Sequence, residues 1–370
     1  MIISVLKTFE EAKQVWSDFE KTSDCYVFQT YEWLYNWFKI VGKEINIKPC
    51  LVKVDAENGE PLMFLPLGIQ KKYGVQCLSW MGGVVSDYHA PVLGKKFSNL
   101  VDSEKFCYLW EKIKTMLPHF DVIHFEKQPE LICEQHNPFL YLDCWPFHEK
   151  SHTATLDDSW DYFNKSKKRK SIYADSRRQR KRLAGIGDLQ FKVVEEYHDI
   201  EVITNKMIEQ KARRYQETGT RNLFEDEIYR NFYLNTAKEL VHIGFIHVSG
   251  LFLDDTIIAA HWGLIYRDRF YYLMPSFEGG SWAKYSPGRL LQEHLIKWCF
   301  DNGIKIFDLT VGDDSYKYNW ADKEMKLYEY YESAGFKGKQ YILFTKIRQN
   351  LKKHSNLLHG LRKVKNALRK

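Results

Sequence analysis

An element order that occurs twice constrains this chain more than any other feature of its sequence. Thr30 can cap a helix carrying Leu34, Trp37, Phe38 and Val41 at i, i+3, i+4 and i+7. Ile47–Val54 and Pro61–Ile69 read as strands around the turn signal Asn58-Gly59, and Val75–Met81 reads as a third strand. A long loop follows from Gly82 to Pro91, then a helix at Ser103–Leu117 and a short buried strand at Val122–Phe125. The second half repeats this order. Gly244–Leu253 and Thr256–Tyr266 flank Asp254-Asp255, Phe270–Met274 follows, and a helix from Pro287 to Phe300 leads into the strand Ile304–Leu309. The two hairpin turns lie 196 residues apart, and the strands at Ile123 and Ile306 lie 183 apart. The same order at a similar offset predicts two copies of one α/β (α+β) unit, although residue identity between them is weak and such an order also recurs by chance. Cys144-Trp145-Pro146 closes the first unit and Thr155 to Asp158 opens a new helix, giving units at 1–150 and 151–345 and a tail at 346–370. Residues 158–184 and 201–240 read as helices ahead of the second sheet.

Charge divides the chain differently. The 370 residues carry a formal net charge of +6, but Lys165–Arg182 alone contributes +9 and Lys346–Lys370 another +9, so the remainder sums to −12. Any polyanion must therefore meet one of two short segments. The first is nearly free of apolar residues, with a broad cationic face suited to a phosphorylated acceptor, a membrane surface or tRNA, or to solubility alone. The second sets Ile347, Leu351, Leu358, Leu361, Val364 and Leu368 at near-helical spacing among basic residues, which suits an anionic membrane face or docking onto the acidic body. With 44% hydrophobic and 15% aromatic residues the body can build packed cores. No stretch approaches the roughly 20 apolar residues of a membrane span, and the N-terminal apolar run is too short for a secretory signal. Seven scattered cysteines, none in C-x-x-C spacing, read as reduced thiols in a cytoplasmic protein with no metal site.

The most informative segment is Ser286-Pro287-Gly288-Arg289. Ser286 is a natural N-cap, Pro287 fits the first helical turn, Gly288 lets a ligand approach the backbone and Arg289 adds positive charge, so the helix start can hold a pyrophosphate. The same four residues are also an ordinary helix opening. Trp282 to Leu291, followed by Phe307-Asp-Leu-Thr-Val-Gly312 and Tyr316-Lys317-Tyr-Asn-Trp320, resembles the signature of the GNAT-like acyltransferases associated with cellulose biosynthesis (CelD-like), relatives of the Fem-type peptidoglycan bridge transferases. The basic run from Ser166 to Gly185 is similar to the helix opening the second domain of that family, and Phe28 to Leu34 with Trp37 is similar to its N-terminal motif. The resemblance covers about residues 25–330 and omits the tail.

What the resemblance implies is a tandem pair of GNAT-like domains with one donor site, in the second. The donor would be acetyl-CoA or another acyl-CoA, or aminoacyl-tRNA in the Fem branch. The acceptor would be an amine, on a lipid- or nucleotide-linked sugar or another envelope or exopolysaccharide precursor, lying between the domains. A non-enzymatic scaffold with degenerate units is the remaining reading. Attack of a neutral amine on a thioester needs a base, oxyanion donors and an acid for the thiolate. Backbone N–H groups around Leu273–Phe277 are candidate oxyanion donors. Asp308, at the end of a buried strand, is the candidate base, or else caps its own turn; His261 is a candidate relay, or a satisfied core histidine. Lys317 and Tyr316 suit a phosphate and the thiolate, while Asp87, Tyr88 and His89 on the long loop, together with Trp33, are candidates for the acceptor side. These expectations place the enzyme in the cytoplasm, and at the inner membrane face if the tail binds lipid.

Overall fold

The computed structural model describes residues 1–156, 159–165 and 167–349. The first unit comprises β1 (Ile2–Leu6), α1 (Phe9–Thr22), α2 (Tyr31–Trp37), β2 (Lys48–Asp55), β3 (Pro61–Lys72), β4 (Val75–Trp80), α3 (Ser103–Met116) and β5 (Val122–Pro129). A long strand, β6 (Trp145–Thr155), follows it. The second unit has α4 (Lys167–Ala184), β7 (Leu189–Val194), α5 (Tyr197–Thr218), α6 (Glu227–Leu240), β8 (Ile246–Leu253), β9 (Thr256–Tyr266), β10 (Arg269–Phe277), α7 (Pro287–Asp301) and β11 (Ile306–Val311). Then come β12 (Lys323–Ser333) and a helix over 336–349.

Local chemistry accounts for the element ends. The Thr8 hydroxyl accepts from Glu11 N–H at 3.2 Å to start α1, whose Phe9, Ala12, Trp16 and Phe19 share one buried face. The Thr30 hydroxyl accepts from Trp33 N–H as its sequence suggests, but α2 loosens after Trp37 into a wider turn, with Lys43 N–H reaching Phe38 O. Asp254 turns β8 into β9 with φ 49°, a left-handed conformation that aspartate tolerates better than most residues.

One continuous sheet runs β1-β2-β3-β4-β5-β12-β6-β11-β10-β9-β8-β7. The order is a palindrome of the two units, with β1 to β5 on one side answered by β7 to β11 on the other. The duplicated order read from sequence is thus the order of the fold. Its two central strands are exchanged. β6 follows the first unit but pairs with β11 of the second, Ile306 opposite Thr155. β12 follows the second unit but pairs with β5 of the first, Ser333 opposite Val122. β6 and β12 also pair with each other, Lys323 opposite Thr153 and Glu329 opposite Trp145. Residues 145–155, read from sequence as the boundary between the units, are therefore a strand at the centre of the molecule; Asp157 and Asp158 lie outside the described residues. β7 falls in the stretch between the helices expected at 158–184 and 201–240, where no strand was expected, and β1, α1 and β12 were likewise not expected from sequence.

Each unit contains one parallel join, and it is short. β4 meets β5 only at Cys77–Leu78 with Val122–Ile123, and β10 meets β11 only at Arg269–Tyr271 with Ile306–Asp308. Beyond those residues the strands diverge and leave a wedge-shaped gap at their C-terminal ends, where α/β folds commonly take ligands. Helix α3 covers one face of the first unit and α7 the matching face of the second, each with its own core. The opposite faces meet each other. Phe28, Trp33 and Tyr88 of the first unit pack with Phe232, Trp262 and Tyr271 of the second in one shared core.

Strand exchange makes each unit incomplete alone. Residues 1–150 expressed without the rest should give an aggregated product with no cooperative melt, because the β12 side of β5 is then an open edge. Co-expression of 1–156 with 157–370 should yield a co-purifying pair that melts as one. A cooperative melt from the first fragment alone would show that the exchange is dispensable.

Candidate active site

Asp308 sits at the point where β10 and β11 part. It is fully buried, and its carboxylate accepts from the Arg269 guanidinium at 2.8 Å, the Tyr88 hydroxyl at 2.8 Å and Thr310 N–H at 2.8 Å. Burial pushes the carboxyl up from the ordinary range, while Arg269 and the two other donors oppose it. Thr310 takes a left-handed φ of 59°, which turns its N–H onto the carboxylate. Arg269, not among the site residues expected from sequence, is the first residue of β10, and Tyr88 comes from the other unit. The group read as a base is thus a tie between the two halves, with three near partners already in place. Tyr88, read as facing an acceptor, is fully buried at the same tie.

The wedge between β10 and β11 opens toward the start of α7. Gly288 lies against Phe277, the last residue of β10; a Cβ there would come 2.7 Å from the ring. Ser286 does not cap the helix with its side chain. It takes a left-handed φ of 54°, which directs the chain into Pro287 and leaves the helix start without a side-chain acceptor. The matching helix α3 is different: the Asp102 carboxylate accepts from Lys105 N–H at 2.9 Å and seals its start with a negative charge. Arg289 is not free, since it forms an ion pair with Asp175 of the basic helix α4, and Arg180 pairs with Glu293 at 2.6 Å. The basic segment is therefore docked along α7, with Lys170, Arg177, Arg178, Lys181 and Arg182 still exposed.

A second cluster lies where the long loop faces α5. Lys211 of α5 is half-buried and makes no hydrogen bond or ion pair among the described residues. Burial pushes its ammonium down to about 8, with Lys317 acting in the same direction and Asp314 and Asp87 opposing. Lys317 is buried, donates to Val311 O at 2.7 Å and Thr310 O at 3.2 Å, and is lowered by burial. Asp87 is held by Lys127, whose ammonium is 3.7 Å from it and donates to Ser86 O at 2.9 Å. The structure thus brings together Asp87, Lys317 and Lys211. Sequence gave no sign of Lys211, because an i, i+4 helix pattern assigns lysine to the solvent side.

The other expected residues lie elsewhere. His261 is fully buried on the face of β9 that carries α7, stacked between Phe270 and Tyr272, with both ring nitrogens unpartnered and its basicity pushed well below the usual range by burial. Trp33 is fully buried in the shared core, donates to the Ser86 hydroxyl at 2.9 Å and meets Phe232 edge-on. His89 points into the first unit, away from the Lys211 cluster. Tyr316 is half-buried, its hydroxyl pushed up chiefly by burial. No helix among the described residues is long and apolar enough to cross a membrane.

Comparison with known proteins agrees with this architecture. A model of the acetyltransferase (GNAT) domain matches residues 166–318. No curated protein matches the sequence. Among solved structures, FemX superposes with a TM-score of 0.58 at 12% identity, over 88% of this chain and 97% of its own. The C-terminal domain of a protein assigned as a lysylphosphatidylglycerol synthetase, from Agrobacterium fabrum, gives 0.53 at 11% identity, over 92% of this chain and 97% of its own. A conserved protein of unknown function from Bacteroides thetaiotaomicron gives 0.53 at 10% identity, over 89% and 99%. Such likenesses speak to the fold. The molecule has the fold of a tandem pair of GNAT-like units, and the stretch that matches the acetyltransferase (GNAT) domain lies in the second.

The tie at Asp308 carries a stability prediction. Asp308→Asn leaves Arg269 without its counter-charge and should cost about 3 kcal/mol, while Tyr88→Phe, losing one hydrogen bond to a charged group, should cost about 2 kcal/mol. Urea denaturation measures both. An Asp308→Asn protein as stable as wild type would remove the tie from the fold's energetics.

Proposed function

We propose that the protein is an acyl-CoA-dependent N-acyltransferase whose donor enters the β10–β11 wedge and whose amine acceptor lies beside Asp87 and Lys211. The observation that carries this reading is the difference between the two matching helix starts, α3 sealed by Asp102 and α7 left without a side-chain cap at the mouth of its wedge. A helix start of that kind takes a phosphate or pyrophosphate on its backbone N–H groups and dipole. Pro287, Gly288 and Arg289 would bind it there, and the exposed cations of α4 would add attraction. Bound in this way, an acyl-CoA supplies an activated thioester carbonyl. The N–H groups of β10 past Tyr271, where β11 no longer pairs with it, are placed to donate to the developing oxyanion; Pro275 is the one residue of that stretch with none to give. Asp87 and Asp314 attract the acceptor as an ammonium ion, and Lys211, neutral in part near pH 8, takes its proton. The amine nitrogen then bonds the carbonyl carbon and the carbon–sulfur bond breaks; Tyr316 is the candidate to protonate the thiolate, and the second proton that the nitrogen sheds on becoming an amide restores the Tyr316 hydroxyl.

The motif resemblance supports an acceptor amine on an amino sugar or another envelope or exopolysaccharide precursor. It equally supports aminoacyl-tRNA as donor, and the docked cationic face of α4 is the specific feature favouring that second reading. Attachment to an anionic membrane through Lys346–Lys370 completes the proposal. Lys346 and Arg348 belong to the 336–349 helix, over the Trp145 ring at 4.0 Å and on the Tyr73 hydroxyl at 2.7 Å, and residues 350–370 lie outside the described residues.

Acetyl-CoA or a longer acyl-CoA at millimolar concentration should raise the melting temperature by about 3 °C. Gly288→Asp should abolish the shift, whereas Gly288→Ala, which displaces the Phe277 ring equally, should retain it. No shift from any CoA ester, with tRNA binding that falls steeply with salt, would replace this donor by the Fem-type one. Turnover should rise with pH through about 8 as Lys211 loses its proton, and Lys211→Met should flatten that limb and lower kcat by about 100-fold. The depressed pKa has a second consequence of fixed sign. Between about 8 and the ordinary lysine value the unfolded chain binds the proton more tightly, so wild type gains stability as pH rises through that window, a gain absent in Lys211→Met.

A further inference from the structure

The first unit has a wedge of its own, and it is not filled as the second one is. Ile123 and Phe125 face α3 as Phe307 and Leu309 face α7, so His124 of β5 occupies the place of Asp308, and Glu126 that of Thr310. No arginine reaches His124 as Arg269 reaches Asp308 among the described residues. A small pocket of about 50 Å³ opens there instead, lined by Trp37, Lys72, His89, His124 and Glu126 among others.

Its polar atoms are left without partners. His89 is 3% exposed, and its Nδ1 lies 3.1 Å from the Glu126 carbonyl oxygen. A carbonyl only accepts, so Nδ1 carries the proton and Nε2 presents a bare lone pair, which has no hydrogen-bond partner. The buried Trp37 N–H and His124 Nε2 are also unpartnered. The Glu126 carboxylate makes no hydrogen bond or ion pair among the described residues. Neighbouring positive charge holds the Glu126 carboxyl below its ordinary range against the push of burial; of the groups responsible, Lys127 and Lys72 stay charged at neutral pH, while burial lowers His89 and His124 to about 4 and leaves them neutral there.

The pocket therefore offers unfilled acceptors, Glu126 and His89 Nε2, together with unfilled donors, the Lys72 ammonium and the Trp37 N–H. A lone anion would meet the Glu126 charge. A metal ion would need three converging ligands, and no such group of His, Cys, Asp or Glu occurs among the described residues. We propose that this pocket is a second binding site, for a small zwitterion whose ammonium is taken by Glu126 and His89 and whose acid group is taken by Lys72 and Trp37. It lies behind the loop that carries Asp87, so its occupant shares a wall with the acceptor cleft.

Calorimetry and saturation-transfer NMR on the full chain, with glycine, methylamine and acetate as probes, test this site. Glycine should bind at least roughly tenfold more tightly than either half-molecule, about 1.4 kcal/mol. Glu126→Gln and Lys72→Met should each weaken glycine binding with the melting temperature unchanged, and Lys211→Met should leave it intact. Acetate binding as well as glycine and indifferent to Glu126→Gln, or glycine binding lost in Lys211→Met, or no glycine binding up to roughly 100 mM, would each overturn the proposal.

Discussion

The pairing of β6 with β12 is the constraint on which the rest of the molecule depends. Each strand leaves its own unit, completes the other and bonds to its counterpart between them. Two sheets that would otherwise end in open edges become one, and the relative placement of the units is set by backbone hydrogen bonds as well as by side-chain packing. A cleft between units joined in this way has fixed walls. That is what allows Asp87 from one half to act on Lys211 and Lys317 of the other.

The shared core sits against that seam, and Asp308 is its polar element. A buried carboxylate is costly unless its lone pairs are satisfied. Here Arg269, Thr310 and Tyr88 satisfy them, and because Tyr88 belongs to the other unit the charge also fixes how the long loop lies. The loop then has one side toward the cleft, at Asp87, and one toward the first unit's own wedge, at His89. A single buried ion pair thereby organises the surroundings of both candidate sites.

Duplication of a fold does not duplicate its chemistry. Both units keep the short parallel join and the wedge beyond it, which follow from strand order. They differ in what stands at the helix start, Asp102 or Ser286-Pro287-Gly288, and in what lines the wedge, His124 and Glu126 or Asp308 and Thr310. Those differences are single side chains and were visible as letters. Their meaning came from the equivalence of positions, which weak identity between the halves conceals.

How much was legible follows the range of the interactions involved. Turn signals, strand alternation and the helix at Ser103–Leu117 rest on neighbours a few residues apart, and the repeated order of three strands, a helix and a strand could be read from them in both units, though β1, α1 and β7 could not. The helix start at Pro287 was legible for the same reason, although the conformation of Ser286 was not, because a left-handed residue there depends on how β10 delivers the chain. Asp308 was singled out as important, but its role was decided by residues 39 positions before it and 220 positions before it. Trp33 and His261 carried the marks of site residues and proved to be core, since burial belongs to the assembled layers. Lys211 and the exchange of β6 with β12 left no mark at all. A half-buried lysine and a strand that pairs across the molecule are properties of contacts between distant segments. Sequence by itself determined two α/β units in order and a helix start at Pro287; only the tertiary structure decided that this start is uncapped, how the units interlock and which charges meet between them, because long-range pairing and burial have no local code.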